Sequence, residues 1–141
     1  MTAPSSPRYF VDTNIWLYAF MVGQDAVKSA KAQTVIKQHA NDIIVSTQVI
    51  NEVCVNLLKK AKLPEADIKP IIESFYARCQ VAEINQDVLL KASDLRDRYR
   101  FSYWDSMLVA TALLSGASIL FSEDMDTALT VEQKLQIANP L

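Results

Sequence analysis

Glycine is nearly absent from the chain: of 141 residues, only Gly23 and Gly116 are glycines. Phosphate-binding loops of the P-loop and Rossmann types need several glycines close together, because their backbone must approach the phosphate closely. The chain has no such cluster, so both of these classes of nucleotide-binding site are excluded.

Histidine and cysteine are also scarce. His39 is the only histidine, which excludes a zinc site built from several histidines and argues against a Ser-His-Asp hydrolase. Cys54 and Cys79 lack the spacing of a metal site, and we interpret both as reduced core residues of a cytosolic protein. Any catalytic chemistry must therefore use other side chains.

Long apolar runs and excess positive charge are missing as well. The longest apolar run, residues 15–22, is far shorter than the roughly 20 residues that span a membrane. Residues 1–7 lack the pattern of a secretory signal. The formal net charge of −2 argues against a broad basic surface and against indiscriminate binding to nucleic acid. We predict a cytoplasmic protein without a membrane anchor.

The composition is that of a globular protein, with 50% hydrophobic and 21% charged residues. A chain of this length suits one domain with a substantial core. We predict a single domain over residues 8–141, preceded by a flexible arm at residues 1–7, which are small, polar and proline-bearing.

Short apolar runs alternate with amphipathic stretches along the whole chain. Five strands are predicted, at Arg8–Asp12, Asp42–Val45, Cys79–Ile84, Ile119–Phe121 and Leu135–Ala138. Helices are predicted at Ile15–Phe20, Asp25–His39, Val49–Lys60, Pro64–Ala77, Gln86–Tyr99 and Tyr103–Leu114, with Pro70 expected to kink or divide the fourth. This alternation predicts an α/β fold: a three-layer α/β/α sandwich around a mostly parallel five-stranded sheet.

Four acidic residues lie where predicted elements begin or end. Asp12 follows the first strand, Glu52 lies early in the helix after the second, Asp105 lies in the first turn of the sixth helix, and Asp124 follows the fourth strand. In a parallel sheet, the carboxyl ends of strands and the helix starts that follow them share one edge. We therefore expect these acids to converge there.

Each acid also has a purely structural explanation. Asp12 or Asn14 can cap the first helix, and Asp105 completes a Ser102-x-x-Asp105 capping box. Asp124 can cap a turn, and Glu52 can be an exposed helix residue. Taken singly, each acid favours the structural explanation, but four on one edge is much less expected by chance.

Carboxylates gathered in this way repel one another. Two unit charges about 4 Å apart cost roughly 4 kcal/mol at an effective dielectric constant near 20. Protonation of one acid or binding of a hard cation relieves that repulsion. Ligand sets made only of oxygen favour Mg²⁺ or Mn²⁺, which can hold a phosphodiester and activate water.

The segments that carry these acids resemble the four motifs of the PIN-domain ribonucleases, and most closely those of VapC-type toxins of bacterial toxin–antitoxin pairs. The resemblance runs from Tyr9 to Leu141. The segments that match the motifs in order are Val11–Asn14, Ser46–Glu52, Tyr99–Ser106 and Leu120–Met125.

The resemblance implies a PIN-like fold and RNA cleavage that depends on Mg²⁺ or Mn²⁺. The catalytic acids it implies are Asp12, Glu52, Asp105 and Asp124. Direct metal contact is implied for Asp12, Asp105 and Asp124, with Glu52 acting partly through water. Thr13, Asn14 and Ser122 would orient these carboxylates or their waters.

The chain departs from the family pattern after the fourth motif. Many relatives have a glycine where this chain has Ala128, so the turn over residues 127–132 is open. For the same reason, it is open whether Asp126 assists or replaces Asp124.

The resemblance also implies partners: an RNA substrate, a cognate antitoxin protein and a second copy of the chain in a homodimer. Apolar residues around Trp16, Phe20 and Met21 are candidates for the dimer interface, with burial in the core as the alternative. Two basic groups could contact the RNA backbone, although we favour a solvated helix face for most of them: Lys59, Lys60 and Lys62, and Arg96, Arg98 and Arg100.

Two functional hypotheses follow. The first is a metal-dependent endoribonuclease that acts as the toxin of a toxin–antitoxin pair, in which metal-activated water attacks RNA phosphodiesters. The alternative is a non-catalytic PIN-like module that binds protein or RNA. The second hypothesis predicts no stabilisation of the folded protein by divalent cations.

Overall fold

In the computed structural model of the chain, residues 6–127 and 129–141 are described. The predicted arm at residues 1–7 lies mostly outside this part of the chain, as does Ala128. Within the described residues, six strands form a single sheet in the order β3-β2-β1-β4-β6-β5. The strands are β1 Tyr9–Val11, β2 Ile43–Ser46, β3 Gln80–Ala82, β4 Ile119–Phe121, β5 Thr130–Val131 and β6 Leu135–Ala138.

Helices connect and flank these strands. They are α1 Thr13–Phe20, α2 Ala26–Gln38, α3 Thr47–Lys59, α4 Glu65–Arg78, α5 Gln86–Arg98 and α6 Tyr103–Leu114. The predicted α/β architecture with a mostly parallel sheet is confirmed. In the described part of the chain, no helix is long and apolar enough to cross a lipid bilayer.

The short strand β1 lies at the centre of the sheet. It pairs in parallel with β2 on one side and with β4 on the other. Phe10 and Val11 are almost completely buried, as expected for a strand covered on both faces. The chain order reverses between β1 and β4, which makes this pair the topological switch point where open α/β sheets bind ligands.

The predicted number of strands was wrong by one. The sixth strand, β5, has two residues and pairs antiparallel with β6. Its turn places Glu132 and Gln133 at positive φ, where glycine or asparagine would be the usual signal, so no hairpin was predicted here. Lys91 and Arg98 of α5 form salt bridges to Glu132 and hold the turn in place.

Pro70 does not divide α4, which is continuous from Glu65 to Arg78. Proline removes one backbone donor, here the donor that would pair with the carbonyl of Ala66. Both Ala66 and Pro70 are exposed, so water can satisfy that carbonyl. The solvent-facing side of a helix is where such a loss costs least.

Trp16 belongs to the core, which was the alternative to its place among the interface candidates. It is 6% exposed, its Nε1 donates a 3.1 Å hydrogen bond to the carbonyl of Val11, and its ring packs edge-on against Phe75. Phe20 is 42% exposed, so a role for this residue in an interface stays a prediction. Cys54 and Cys79 are free and partly buried, and burial raises the pKa of the Cys79 thiol to about 11.

Candidate active site

Asp12 is fixed at the junction of β1 and α1. Its backbone N–H donates to the carbonyl of Phe121, which extends the pairing of β1 with β4 by one residue. Its Oδ1 accepts a 2.7 Å bond from the backbone N–H of Thr13, and its Oδ2 accepts a 3.0 Å bond from the Ser122 hydroxyl. Asp12 therefore caps α1, and its carboxylate also contacts Ser122.

Burial raises the pKa of Asp12 from its ordinary value of 3.8 to about 6. The negative charges of Glu52 and Asp105 add to this rise, whereas the hydrogen bonds from Thr13 and Ser122 oppose it. Asp12 thus lies within electrostatic reach of two acids from other elements. Such a carboxylate is a candidate functional group, because it is costly to keep charged unless a cation is nearby.

Thr13 connects α1 to the second candidate acid. Its buried hydroxyl donates a 2.6 Å hydrogen bond to Oε2 of Glu52. Gln48, one turn earlier on α3, donates from Nε2 to Oε1 of the same carboxylate at 3.2 Å. Glu52 as a whole is exposed to solvent, but both of its carboxylate oxygens accept hydrogen bonds, from Thr13 and Gln48.

Asn14 connects α1 to the fourth candidate acid. Its side-chain amide donates to Oδ2 of Asp124, in the loop that follows β4. The hydroxyl of Ser122 accepts a bond from the backbone N–H of Met125 and so shapes the same loop. Asp124 and Asp126 are both exposed to solvent.

Asp105 lies in the first turn of α6. Its backbone N–H donates to the hydroxyl of Ser102, which caps the helix as the capping-box pattern predicted. Its side chain is half-buried, and its charge acts on Asp12. Capping and a role in the site therefore coexist, because the cap uses the backbone of Asp105 rather than its carboxylate.

The donor chemistry of this site fits a hard divalent cation. Asp12, Glu52 and Asp105 offer only carboxylate oxygens, and their mutual repulsion is the kind that a cation relieves. Among residues 6–127 and 129–141, no three acidic, histidine or cysteine side chains form a compact metal-binding group. Mg²⁺ does not require one, since it commonly keeps several waters and uses one or two carboxylates plus substrate phosphates.

The structure adds Gln48, to which the sequence analysis gave no role. The i, i+4 spacing of Gln48 and Glu52 on one helix was an available signal, because side chains so spaced are neighbours. The three-carboxylate ligand set of Asp12, Asp105 and Asp124 stays a prediction. The arrangement brings Glu52 and Asp105 towards Asp12 and ties Asp124 to α1 through Asn14.

Comparisons with known proteins give a family. The sequence model of the PIN domain matches residues 9–131. Among curated proteins, no significant match is found.

Several solved structures share the fold at low sequence identity. VapC20 of Mycobacterium tuberculosis, a toxin that cleaves the sarcin–ricin loop, is 20% identical over 84% of this chain and 91% of its own, with a TM-score of 0.68. A toxin–antitoxin complex from Klebsiella pneumoniae is 17% identical over 94% and 98%, with a TM-score of 0.69. DNA-bound VapBC from Salmonella typhimurium is 13% identical over 96% and 100%, with a TM-score of 0.70.

Proposed function

Because the chain belongs to the PIN-domain family, we propose that it is a metal-dependent endoribonuclease and the toxin of a toxin–antitoxin pair. The observation that carries the proposal is the environment of Asp12. This carboxylate lies at the switch point of the sheet, and burial and the charges of Glu52 and Asp105 raise its pKa to about 6. At neutral pH it is mostly ionised and available as a ligand.

The roles proposed for the acids are those that the family resemblance implies. Asp12 and Asp105 would hold the cation directly, as would Asp124, while Glu52 would act partly through water. When bound, Mg²⁺ or Mn²⁺ would lower the pKa of a water and neutralise charge on the phosphodiester. Whether Asp126 assists or replaces Asp124 belongs to the same proposal.

The supporting side chains fix the acids before substrate arrives. Thr13 and Gln48 hold the two oxygens of Glu52, and Asn14 holds Asp124. Ser122 holds the second oxygen of Asp12. Because these contacts orient the acids in advance, less entropy is lost when the reactive geometry is reached.

Substrate and partners are proposed from the structural relatives. VapC20 cleaves the sarcin–ricin loop, and the Klebsiella and Salmonella relatives were solved as complexes of toxin with antitoxin. We accordingly propose an RNA substrate, a cognate antitoxin and a homodimer for this chain. We also place it in the cytoplasm, where its two free thiols would stay reduced.

The test is to change single acids to amides. Asp12→Asn and Asp105→Asn should each lower Mg²⁺-dependent RNA cleavage roughly 100-fold or more, since loss of supporting groups alone costs about 10–100-fold. Asp97→Asn, an exposed acid on α5, is the matched control and should cleave normally. Undiminished cleavage by either site variant would remove the role assigned to that acid.

One observation favours the alternative, a non-catalytic PIN-like binding module. In the described residues, the acids do not form a compact group of three that could hold a metal. A module of this kind should show no change in Tm with Mg²⁺ or Mn²⁺. A nuclease that binds the ion only when folded should melt at a higher temperature. At an ion concentration 100 times Kd, binding adds about 2.7 kcal/mol to the free energy of unfolding.

A further inference from the structure

Two aromatic side chains that precede Asp105 in the chain are largely exposed to solvent. Tyr103 is 51% exposed and Trp104 is 62% exposed, and they are the first two residues of α6. Their ring centroids lie 5.3 Å apart at an interplanar angle of 79°, in an edge-to-face arrangement. Large aromatic rings are costly to leave in water, so an exposed pair of this kind calls for an explanation.

Arg96 and Ser106 hold the aromatic pair in place through a cation–π contact and hydrogen bonds. The guanidinium carbon of Arg96 lies 4.4 Å from the ring centroid of Tyr103, a cation–π contact. Arg96 Nη1 also donates a 2.7 Å bond to the hydroxyl of Ser106, which in turn donates to the backbone carbonyl of Tyr103. Arg96 therefore supports Tyr103, and Tyr103 supports Trp104.

We infer that Trp104 is a stacking surface for an unpaired RNA base next to the phosphate that is cleaved, with Tyr103 as its support. This inference rests on the proposed function, because it assigns a substrate subsite to the same acidic centre. Arg96 adds a positive charge behind the aromatic pair. Bases stack on aromatic faces in single-stranded RNA, whereas in a duplex their faces are already occupied.

Position in the chain ties this surface to the chemistry. Trp104 precedes Asp105, so their Cα atoms are about 3.8 Å apart. Successive side chains on a helix point in directions about 100° apart. Asp105 accordingly acts on Asp12 while Trp104 faces solvent, as a base next to a bound phosphate would require.

The charge of the protein points the same way. With 14 basic and 16 acidic residues, the chain has no surplus positive charge with which to hold a phosphate backbone. Stacking gives affinity for single strands without that charge and tolerates many sequences. An exposed tryptophan next to Asp105 in the chain thus supplies substrate affinity that does not depend on surplus positive charge.

The first experiment measures binding without cleavage, using intact protein, EDTA and a short single-stranded oligoribonucleotide. The chain has two tryptophans, and Trp16 is buried, so quenching of the accessible emission reports on Trp104. Single-stranded RNA should quench it and a duplex of the same sequence should not. The Trp104→Phe variant, which keeps only the buried tryptophan, should show no quenching.

The second experiment measures steady-state cleavage of the same oligoribonucleotide. Trp104→Ala and Trp104→Leu should each raise KM about tenfold with kcat within about twofold, since stacking acts equally in bound substrate and transition state. Trp104→Phe, which keeps an aromatic face, should restore most of the affinity. Tyr76→Ala, a tyrosine on α4 with 53% exposure, is the matched control for an exposed ring and should leave KM unchanged.

The outcomes separate this inference from the proposed function. If Asp105→Asn loses cleavage but Trp104→Ala keeps the KM of the unchanged protein, the stacking surface is overturned and the proposed nuclease activity is kept. Quenching by single-stranded RNA without any cleavage would keep the surface as a binding site and remove the nuclease. A Trp104→Ala variant that loses only its dimer or its antitoxin complex would assign the aromatic pair to a protein interface and overturn the inference.

Discussion

The buried hydroxyl of Thr13 donates a 2.6 Å hydrogen bond to Glu52, 39 positions further along the chain. The neighbours of Thr13 make equivalent long-range contacts, Asp12 with Ser122 and Asn14 with Asp124. Three successive residues at the start of α1 therefore fix side chains from α3 and from the loop after β4. This one short segment therefore carries or contacts three of the four candidate acids, Asp12, Glu52 and Asp124.

Thr13→Val removes the hydroxyl while keeping the β-branched shape. Glu52 then loses one of its two side-chain donors, so we expect RNA cleavage to fall about 10–100-fold with the fold retained. Cleavage rates and far-ultraviolet circular dichroism measure the two effects. Thr34→Val, on the exposed face of α2, makes the same chemical change and should not alter the rate. Equal losses in both variants would contradict the special role of Thr13.

Asp12→Asn tests the cost of the buried charge. Because the folded pKa of Asp12 is about 6 and its ordinary value is 3.8, the folded protein binds more protons than the unfolded chain between these values. The free energy of unfolding should therefore fall as pH rises through this window, by up to about 3 kcal/mol. The amide variant escapes this penalty.

We expect Asp12→Asn to match the unchanged protein near pH 4 and to exceed it in stability at pH 8 without divalent cations. Urea denaturation at a series of pH values gives the difference. Asp97→Asn, which changes an exposed acid, should track the unchanged protein at every pH. A constant offset across the whole pH range would show that Asp12 carries no such penalty.

Ser122→Ala removes a hydrogen bond that lowers the pKa of Asp12. The pKa of Asp12 should then rise above about 6, and the acid limb of the pH–rate profile should move to higher pH. The loss of activity should accordingly be larger at pH 6 than at pH 8. Ser93→Ala on the exposed face of α5 should leave the profile in place. A uniform loss at all pH values would point instead to disturbance of the loop at Met125.

Gln133→Gly tests the strained turn between β5 and β6. Gln133 is exposed and has a φ of 59°. This conformation is unfavourable for an L-residue by roughly 1–2 kcal/mol, but not for glycine. The variant should gain up to about 1 kcal/mol of unfolding free energy in urea, because glycine also frees the unfolded chain. Gln136→Gly, the same change on the exposed face of β6, should lose stability. Destabilisation by both changes would show that the turn is not strained.

The overall architecture was accessible from sequence because the apolar runs are distinct. The helix Tyr103–Leu114 and the strands Ile119–Phe121 and Leu135–Ala138 were predicted at their observed bounds. The strand Thr130–Val131 was missed, since two residues give no periodicity and their turn lacks glycine. It exists because β6 offers it a partner, which only the folded structure shows.

The candidate acids could be named from the sequence, but the hydrogen bonds that connect them could not. Placement at strand and helix ends predicts that Asp12 and Asp105 share an edge. Pairings such as Thr13 with Glu52 join residues on different helices that are far apart in the chain. No local sequence pattern encodes such a pairing. The raised pKa of Asp12 likewise depends on burial by residues from distant parts of the chain.

The 110-position separation of Asp12 from Ser122 also bears on the synthesis of the protein. β1 is made early, whereas its neighbour β4 and the loop that carries Asp124 are made more than one hundred residues later. A nascent chain on the ribosome thus holds an incomplete set of acids throughout most of its translation. Under the proposed activity, a chain that is still being synthesised therefore cannot cleave RNA before β4 has joined the sheet.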